Sequence, residues 1–246
     1  MLAPGDPPPF RVTNAEGRAS FLLIGDHAGD CIPRALGDLG LAAADRRRHI
    51  ALDLGIAALG PLLATRLDAA FVAQSYSRLV IDCNRDPARP DAVPAVSDGT
   101  PVPGNVGLSA EARRARVEAI HTPYHAAIAA GLERGDGTAL VALHSFTPAL
   151  SAGGAEQRPW HAGVLYGGGD ETFARAALVE LRRRLDAPVG DNQPYAMDGI
   201  DYTIPHHCFA AGRRYVEFEI RQDLLTAPGG AERWAELLGE VLAALG

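Results

Sequence analysis

Lysine is absent from this 246-residue chain, and all 23 of its basic residues are arginines. Catalysis by a lysine amine is therefore excluded. Only three cysteines are present, Cys31, Cys83 and Cys208, and their odd number and wide spacing do not suggest a disulfide framework. No apolar run reaches the roughly 20 residues of a membrane helix. The opening MLAPGDPPPF lacks the regions of a signal peptide, so we expect a cytoplasmic protein with no membrane partner.

A basic surface is also lacking, because the formal net charge is −7 at pH 7. Proteins that bind nucleic acids usually carry a basic face, so a nucleic-acid partner is disfavoured. Hydrophobic residues make up 47% of the chain, which is enough for a substantial core. The simplest organisation is one domain over residues 19–246, preceded by an irregular arm over residues 1–18 that is rich in proline and glycine.

Apolar runs and helical periodicities alternate along the chain. The runs predict strands at residues 19–25 and in AAFVAQ, RLVIDC, TALVALHSF, HAGVLYG and RYVEFEIRQD. Helical spacing predicts helices over residues 44–68, over residues 109–135 with an interruption at Pro123, and in DETFARAALVELRRRLD and GAERWAELLGEVLAALG. This alternation predicts an α/β fold with a layered sheet. Residues 86–107, with five prolines, predict a long functional or mobile loop.

Polar side chains stand where three predicted strands end: His27 with Asp30, the segment DCNR at 82–85, and His144. Ligands bind beyond the carboxyl ends of strands in open α/β sheets. Two histidines and a carboxylate suit a catalytic metal that keeps a water as its fourth ligand. We therefore predict a zinc site formed by His27, Asp30 and His144. In the alternative interpretation, His27 is hydrogen-bonded in a loop and Asp30 caps a helix after Pro33.

His121 and His125 are the main rival ligands, since they lie four residues apart on a predicted helix. The zincin pattern needs a glutamate directly after its first histidine, and here that residue is Thr122. A structural role or a place beside the substrate is therefore favoured for both. His206 and His207 are adjacent in a loop, and adjacent residues seldom bind one ion together.

The strand YVEFEIR places Glu217 and Glu219 on one face, with Arg221 beside them. A carboxylate near zinc can take a proton from water and return it to a leaving amine. The residues themselves do not distinguish the two glutamates in this role. The alternative is a ladder of charges on the protein surface.

The segment SYSRLVIDCNR contains Arg78 and Arg85, whose planar guanidinium groups match a carboxylate in bidentate fashion. Asn84 can donate to the same group. These residues predict a substrate with a free carboxylate. The alternative is an ordinary ion pair of Arg85 with Asp82 or Asp86.

The motifs DHAG…IP, RHIALDLG, SRLVIDCNR, PGN, PYH, LHSFTP, RPWHAGVLY, GDNQPY and EFEIRQD follow one another between about residues 21 and 225. With them the chain resembles the N-formylglutamate amidohydrolase (deformylase) family, which is similar to zinc carboxypeptidases and aspartoacylases. The resemblance implies a three-layer α/β/α fold with a central mixed sheet, phosphorylase/hydrolase-like, and one Zn²⁺ ion per chain.

The resemblance also assigns roles to individual residues. It implies metal ligands at His27, Asp30 and His144, a carboxylate-binding pair at Asn84 and Arg85, an oxyanion-binding arginine at Arg78, and Glu219 rather than Glu217 as the base. Arg221 is a candidate for binding a side-chain carboxylate of the substrate. The chain departs from the carboxypeptidase-like pattern at Asp30, where that pattern has glutamate.

The implied reaction is hydrolysis of the amide of a small N-acyl amino acid. With N-formyl-L-glutamate, the products are formate and L-glutamate, as in histidine breakdown. Two alternatives stay open at this point. One is a zinc carboxypeptidase or amidase that acts on peptides or cell-wall fragments, which an open groove would favour. The other is a metal-free protein that binds carboxylates.

Overall fold

The computed structural model describes residues 1–135, 137–150 and 158–246. Within these residues, no helix combines the length and the apolar character that a membrane span requires. The described strands are β1 (Phe10–Thr13), β2 (Phe21–Gly25), β3 (Ala70–Gln74), β4 (Val96–Ser97), β5 (Thr100–Pro101), β6 (Ala139–Phe146), β7 (Ala162–Leu165), β8 (Val189–Asp191) and β9 (Tyr215–Arg221).

The described helices alternate with these strands. They are α1 (Ile56–Leu67), α2 (Ala110–Arg116), α3 (Thr122–Leu132), α4 (Thr172–Arg184), α5 (Gln222–Thr226) and α6 (Gly230–Ala243). A π-helical turn, Val117–His121, joins α2 to α3 and so interrupts the helix that the sequence predicts over residues 109–135. Pro123 lies in the first turn of α3, where a missing backbone N–H is tolerated.

Seven strands form one mixed sheet in the order β1-β3-β2-β6-β9-β7-β8. Strands β3, β2, β6 and β9 are mutually parallel, so their carboxyl ends lie at one edge of the sheet. Strands β6 and β2 are buried along their whole length, as expected for the centre of a covered sheet. Strand β7 runs antiparallel to β9 and β1 antiparallel to β3, which makes the sheet mixed.

Helices cover both faces of the sheet. Leu23 is paired in register with Phe71, so these side chains share one face, and Leu22 points to the other. Gly60 of α1 packs so closely on the Phe71 ring that an added Cβ would lie 2.2 Å from ring atoms, whereas Gly131 of α3 faces Leu22. Helix α6 packs on both α1 and α4, which places all three on the Phe71 face. The predicted three-layer α/β/α architecture with a central mixed sheet is confirmed.

Three sequence predictions of local structure are wrong. RLVIDC is a turn segment whose apolar residues are buried without sheet pairing, because an apolar run signals burial and not a strand as such. The helix predicted over residues 44–68 begins only at Ile56, after Gly55 with φ of 90°. The arm over residues 1–18 is not wholly irregular, since β1 lies within it and pairs with β3.

Candidate functional site

A cleft of about 280 Å³ opens at the carboxyl edge of the central strands. In open α/β sheets, ligands bind beyond this edge, so the cleft lies at the position that the sequence predicts for a ligand site. Its apolar side includes Phe146, Leu165 and Ile200. The polar residues that line it include His27, Asp53, Arg78, Asn84, Arg85, His144, Asp198, Asp201, Glu217 and Glu219.

Three buried side chains lie close together, those of His27, Asp53 and His144. Each has one nitrogen or oxygen atom that could bind a metal ion, and these atoms lie within 4.8 Å of one another. Asp53 lies between the two rings, with its Oδ2 3.4 Å from Nδ1 of His27 and 2.9 Å from Nδ1 of His144. His27 follows β2, His144 lies near the end of β6, and Asp53 lies in the loop before α1. The backbone N–H of Asp53 donates to the carbonyl of His27 at 2.9 Å, which holds this loop against the strand end.

Each histidine has a further carboxylate on its other ring nitrogen. Nε2 of His27 lies 2.7 Å from Oδ1 of Asp82, and Nε2 of His144 lies 3.2 Å from Oδ2 of Asp26. A carboxylate on the outer nitrogen fixes the tautomer of a histidine and turns its inner nitrogen towards a metal. Asp26 is itself held, because Oγ1 of Thr203 donates to its Oδ1 at 2.9 Å.

The charges of this group are strongly coupled. Burial alone would raise the pKa of Asp53, but the charge of His27 and the hydrogen bond from His144 hold that pKa well below its usual range. Burial alone would lower the pKa of His144, but the acidic groups around it, Glu217, Asp26 and Asp53, raise that pKa well above its usual range. The carboxylates around the two rings therefore favour positive charge at the position of His144.

Asp30 does not lie with His27 and His144, which corrects the predicted third metal ligand. Its side chain is exposed and lines a different pocket, with its Oδ1 3.9 Å from Sγ of Cys31. The reason is the turn at Gly29, which packs against the backbone of Ser75 so closely that a Cβ would lie 2.2 Å from it. The chain then runs beside Tyr76, and Asp30 faces away from the cleft.

Asp53 is the acidic member of the group, and sequence reasoning missed it because residues 44–68 were predicted as one helix. A glycine inside a predicted helix lowers the support for that helix. Gly55 was such a signal, since it has a positive φ and ends the loop that carries Asp53. With Asp53 in the loop, its carboxylate is free to turn towards the strand ends.

Glu217 and Glu219 are both buried in the cleft, on the face of β9 that they share with His144. Glu219 is paired in register with His144, whereas Glu217 is paired with Ala142. Burial raises the pKa of Glu219 to about 7, and it raises that of Glu217 well above its usual range. Oε2 of Glu219 has no hydrogen-bond partner among the described residues, so this oxygen is available to a proton.

Arg78 lies beside the three-residue group and bridges the carboxylates of Asp53 and Asp82. Its Nη2 donates to Oδ2 of Asp82 at 2.7 Å, and its Nη1 donates to Oδ1 of Asp53 at 3.4 Å. The guanidinium also lines the cleft. Arg78 therefore holds Asp53 and Asp82 in place, and its role at an oxyanion stays a prediction.

Asn84 and Arg85 line the cleft next to each other, opposite the turn that carries Asp201. Nδ2 of Asn84 donates to Oδ1 of Asp201 at 3.3 Å, and Nη1 of Arg85 lies 3.4 Å from the same oxygen. Oδ1 of Asn84 accepts the backbone N–H groups of Tyr202 and Thr203. Both side chains thus have the geometry to hold a carboxylate.

Arg221 is not among the described residues that line the cleft, so the structure does not bring it together with the other candidates. Its Nε donates to Oδ1 of Asp223 at 2.9 Å, at the junction of β9 and α5. The carboxylate of Asp223 thus holds the guanidinium of Arg221 at this junction.

His121 and His125 belong to a second cluster of rings that also contains Tyr202, His206 and His207. Nε2 of His125 donates to the carbonyl of Cys83 at 2.9 Å, so its Nδ1 accepts from Nε2 of His207 at 3.0 Å. Nε2 of His121 donates to the carbonyl of Arg85 at 3.1 Å. Both helix histidines therefore support the loop that carries Asn84, which agrees with the structural role favoured from the sequence.

The His27–Asp53–His144 group fits a divalent ion better than the second cluster does. Nδ1 of His27 is buried and has no hydrogen-bond partner among the described residues. Two imidazoles and one carboxylate, with ordered outer carboxylates, are the donors of catalytic zinc sites. Both nitrogens of His125, by contrast, are occupied.

Comparisons with known proteins agree with the fold and the motifs. The gene product Atu2144 from Agrobacterium tumefaciens is 33% identical, with a TM-score of 0.89, and the match covers 99% of this chain and 98% of that one. The N-formylglutamate amidohydrolase from Ralstonia eutropha JMP134 is 22% identical, with a TM-score of 0.66, and 95% of each chain is covered, which shows a shared fold. No curated protein sequence matches the chain.

The family model of N-formylglutamate amidohydrolase matches residues 19–226, which is most of the chain. The matched segment contains His27, Asp53, His144 and Glu219. The chain therefore belongs to the N-formylglutamate amidohydrolase family.

Proposed function

We propose that this protein is a zinc-dependent amidohydrolase that cleaves the amide of a small N-acyl amino acid, with N-formyl-L-glutamate as the substrate and formate and L-glutamate as the products. The observation that carries the proposal is one cleft that contains a buried His27–Asp53–His144 group, an unpartnered oxygen of Glu219 and the Asn84–Arg85 pair. The family of the chain supports amide hydrolysis, and the donor set supports zinc.

His27, Asp53 and His144 would hold the ion, with Asp82 and Asp26 orienting the two rings. When bound, a divalent ion supplies Lewis acidity towards a carbonyl oxygen and lowers the pKa of a water molecule. Arg78 keeps the carboxylate of Asp53 turned towards the two rings. The protein thus supplies a rigid, negatively charged and buried donor set.

Glu219 is the proton carrier in this proposal. It removes a proton from the attacking water as the water oxygen bonds to the acyl carbon, and it then delivers a proton to the nitrogen of the departing amine. A pKa of about 7 suits both directions of transfer near neutral pH. Arg78, which lines the cleft, is the candidate donor to the oxygen that gains negative charge.

Asn84 and Arg85 are the candidate receptors of the α-carboxylate, and they would align the amide with the His27–Asp53–His144 group. A volume of about 280 Å³ lies at the small end of ligand pockets and suits an N-acyl amino acid rather than a peptide chain. The cleft therefore does not favour the peptide-cleaving alternative.

The test has two measurements on protein purified without chelators and without a histidine tag. We expect one zinc ion per chain by elemental analysis, and release of formate from N-formyl-L-glutamate within a panel of N-formyl and N-acetyl amino acids. A protein that holds no zinc after incubation with it, but still binds carboxylates, would establish the metal-free alternative. A zinc-loaded protein that is inactive on the whole panel would overturn the amidohydrolase proposal.

A further inference from the structure

The two groups that would bind the substrate carboxylate already hold a carboxylate of the protein. Oδ1 of Asp201 lies 3.3 Å from Nδ2 of Asn84 and 3.4 Å from Nη1 of Arg85. One oxygen thus receives both donors, which is the arrangement expected for a bound carboxylate ligand.

Asp201 is held in this position by its own turn. Its Oδ2 accepts the backbone N–H of Asp198 at 3.2 Å, and its own backbone N–H donates to the carbonyl of Asp198. The carbonyl of Ile200 also lies 3.5 Å from Nη1 of Arg85. Displacing the carboxylate of Asp201 would therefore break a contact within the turn that carries Ile200, a residue that lines the cleft.

The carboxylate of Asp201 and that of a bound ligand would have to share the few arginines of the cleft. The only arginines among its described lining residues are Arg78 and Arg85. Arg78 is engaged by Asp53 and Asp82, so Arg85 is the cation left for a ligand. The side chain of Asp201 is only 13% exposed, so water screens its ion pair with Arg85 weakly. A second carboxylate at Arg85 would meet the charge of Asp201 at short range.

We propose that Asp201 is a specificity-determining residue that competes with the ligand carboxylate for Asn84 and Arg85, and that it sets the affinity of the cleft for carboxylate ligands. The proposal rests on the proposed function only in assigning Asn84 and Arg85 to the substrate carboxylate. Ligand binding replaces the contacts of Asp201 with those of the ligand, so part of the binding energy is used to displace an internal carboxylate.

The test uses Asp201→Asn, which removes the charge but keeps an oxygen that can accept the N–H of Asp198. We expect the Kd of L-glutamate, measured by calorimetry on the metal-loaded protein, to fall about fivefold. The KM of N-formyl-L-glutamate should fall by the same factor, with kcat unchanged within about twofold. Asp198→Asn is the matched control, since it removes a charge from the same turn but has no bond to Arg85, and its Kd should stay within about twofold of wild type.

A Kd that rises in Asp201→Asn, or a kcat that falls with KM unchanged, would overturn the proposal, because Asp201 would then orient Arg85 and not compete with the ligand. The proposal also fails if neither wild type nor variant binds L-glutamate. Asp201→Ser is the second variant should the first not fold. Since calorimetry needs no turnover, a wild type that binds L-glutamate but hydrolyses no amide would overturn the proposed function alone.

Discussion

Two groups of buried histidines lie close together in this molecule, and their surroundings are opposite in charge. His27 and His144 each face carboxylates on both ring nitrogens, which raise their pKa values in spite of burial. His125 and His207 face a carbonyl and each other, and burial lowers their pKa values to about 3 and about 4. One group therefore attracts positive charge, and the other rejects it.

The difference shows why spacing along a helix is a weak indicator of metal binding. His121 and His125 have the better spacing, but Nε2 of each donates to a backbone carbonyl and Nδ1 of His125 bonds to the ring of His207. His27 and His144 are 117 residues apart in the chain, but both stand at the carboxyl edge of the sheet, where loops bring three aspartates around them. Carboxylates beyond the rings, more than the number of histidines, distinguish the site.

The largest expected effect comes from exchanging one histidine in each group. His27→Ala removes a ligand atom, so we expect zinc content to fall from one per chain to near zero and formate release to drop by about a thousandfold or more. His125→Gln keeps a donor for the carbonyl of Cys83, so zinc content should be unchanged. Elemental analysis and a formate assay on both variants check this. An equal loss of zinc from both variants would contradict the assignment of the metal site to the group of His27.

The next effect separates the two glutamates that share a face with His144. Glu219→Gln should bind zinc normally but lose about 10²- to 10⁴-fold in kcat, because the amide cannot accept the proton of the attacking water. Glu217→Gln is the matched variant, buried in the same cleft but paired in register with Ala142. We expect its kcat to stay within about tenfold of wild type. Steady-state kinetics on zinc-loaded proteins measures both values of kcat. An equal loss of kcat in the two variants would contradict the assignment of Glu219 as the proton carrier.

A smaller effect tests the outer carboxylates of the first group. Asp26→Asn removes the negative charge that lies 3.2 Å from Nε2 of His144, so we expect zinc affinity to weaken by about 10- to 100-fold while the fold is retained. Competition against a chelator gives the affinity, and circular dichroism controls for folding. An affinity equal to that of wild type would mean that the outer carboxylate does not orient His144.

The smallest effect concerns the second group and the pH dependence of stability. His125 stays neutral when folded, with a pKa of about 3, but takes up a proton near pH 6.5 when unfolded. The unfolded state therefore binds more protons between these values, and stability falls as the pH drops below about 6.5. In His125→Gln we expect the loss of Tm between about pH 7.5 and pH 5 to be smaller by about 4–8 °C. Parallel melting curves measure this, and an unchanged loss would contradict it.

Much of the fold follows from the apolar runs and helical periodicities. Strands β2, β6 and β9 are strongly apolar or alternating, and each was predicted close to its observed bounds. His27 and His144 were predicted as site residues because they stand at the ends of such strands, whereas the choice of Glu219 over Glu217 came from the family resemblance. RLVIDC was misassigned because burial in a turn and burial in a strand give the same apolar pattern.

The acidic residue that joins His27 and His144 could not be predicted from the sequence, because its position depends on tertiary contacts. Asp30 is close to His27 in the chain, but the turn at Gly29 directs it outwards. Asp53 is distant in the chain, but a backbone bond to His27 brings it inwards. Likewise, the pairings of Arg221 with Asp223 and of Arg85 with Asp201 depend on the local turns of the folded chain, which the sequence pattern does not specify.

The backbone bond between Asp53 and His27 has a practical consequence. The side chains at positions 27, 53 and 144 are held together by contacts that include two peptide N–H groups, so the polypeptide itself would assemble the proposed metal site. Chelation should then leave a folded apoprotein that accepts other divalent ions. Replacement by Co²⁺, whose visible absorption is far stronger in four-coordinate than in six-coordinate sites, would turn this buried centre into a coloured reporter of ligand binding.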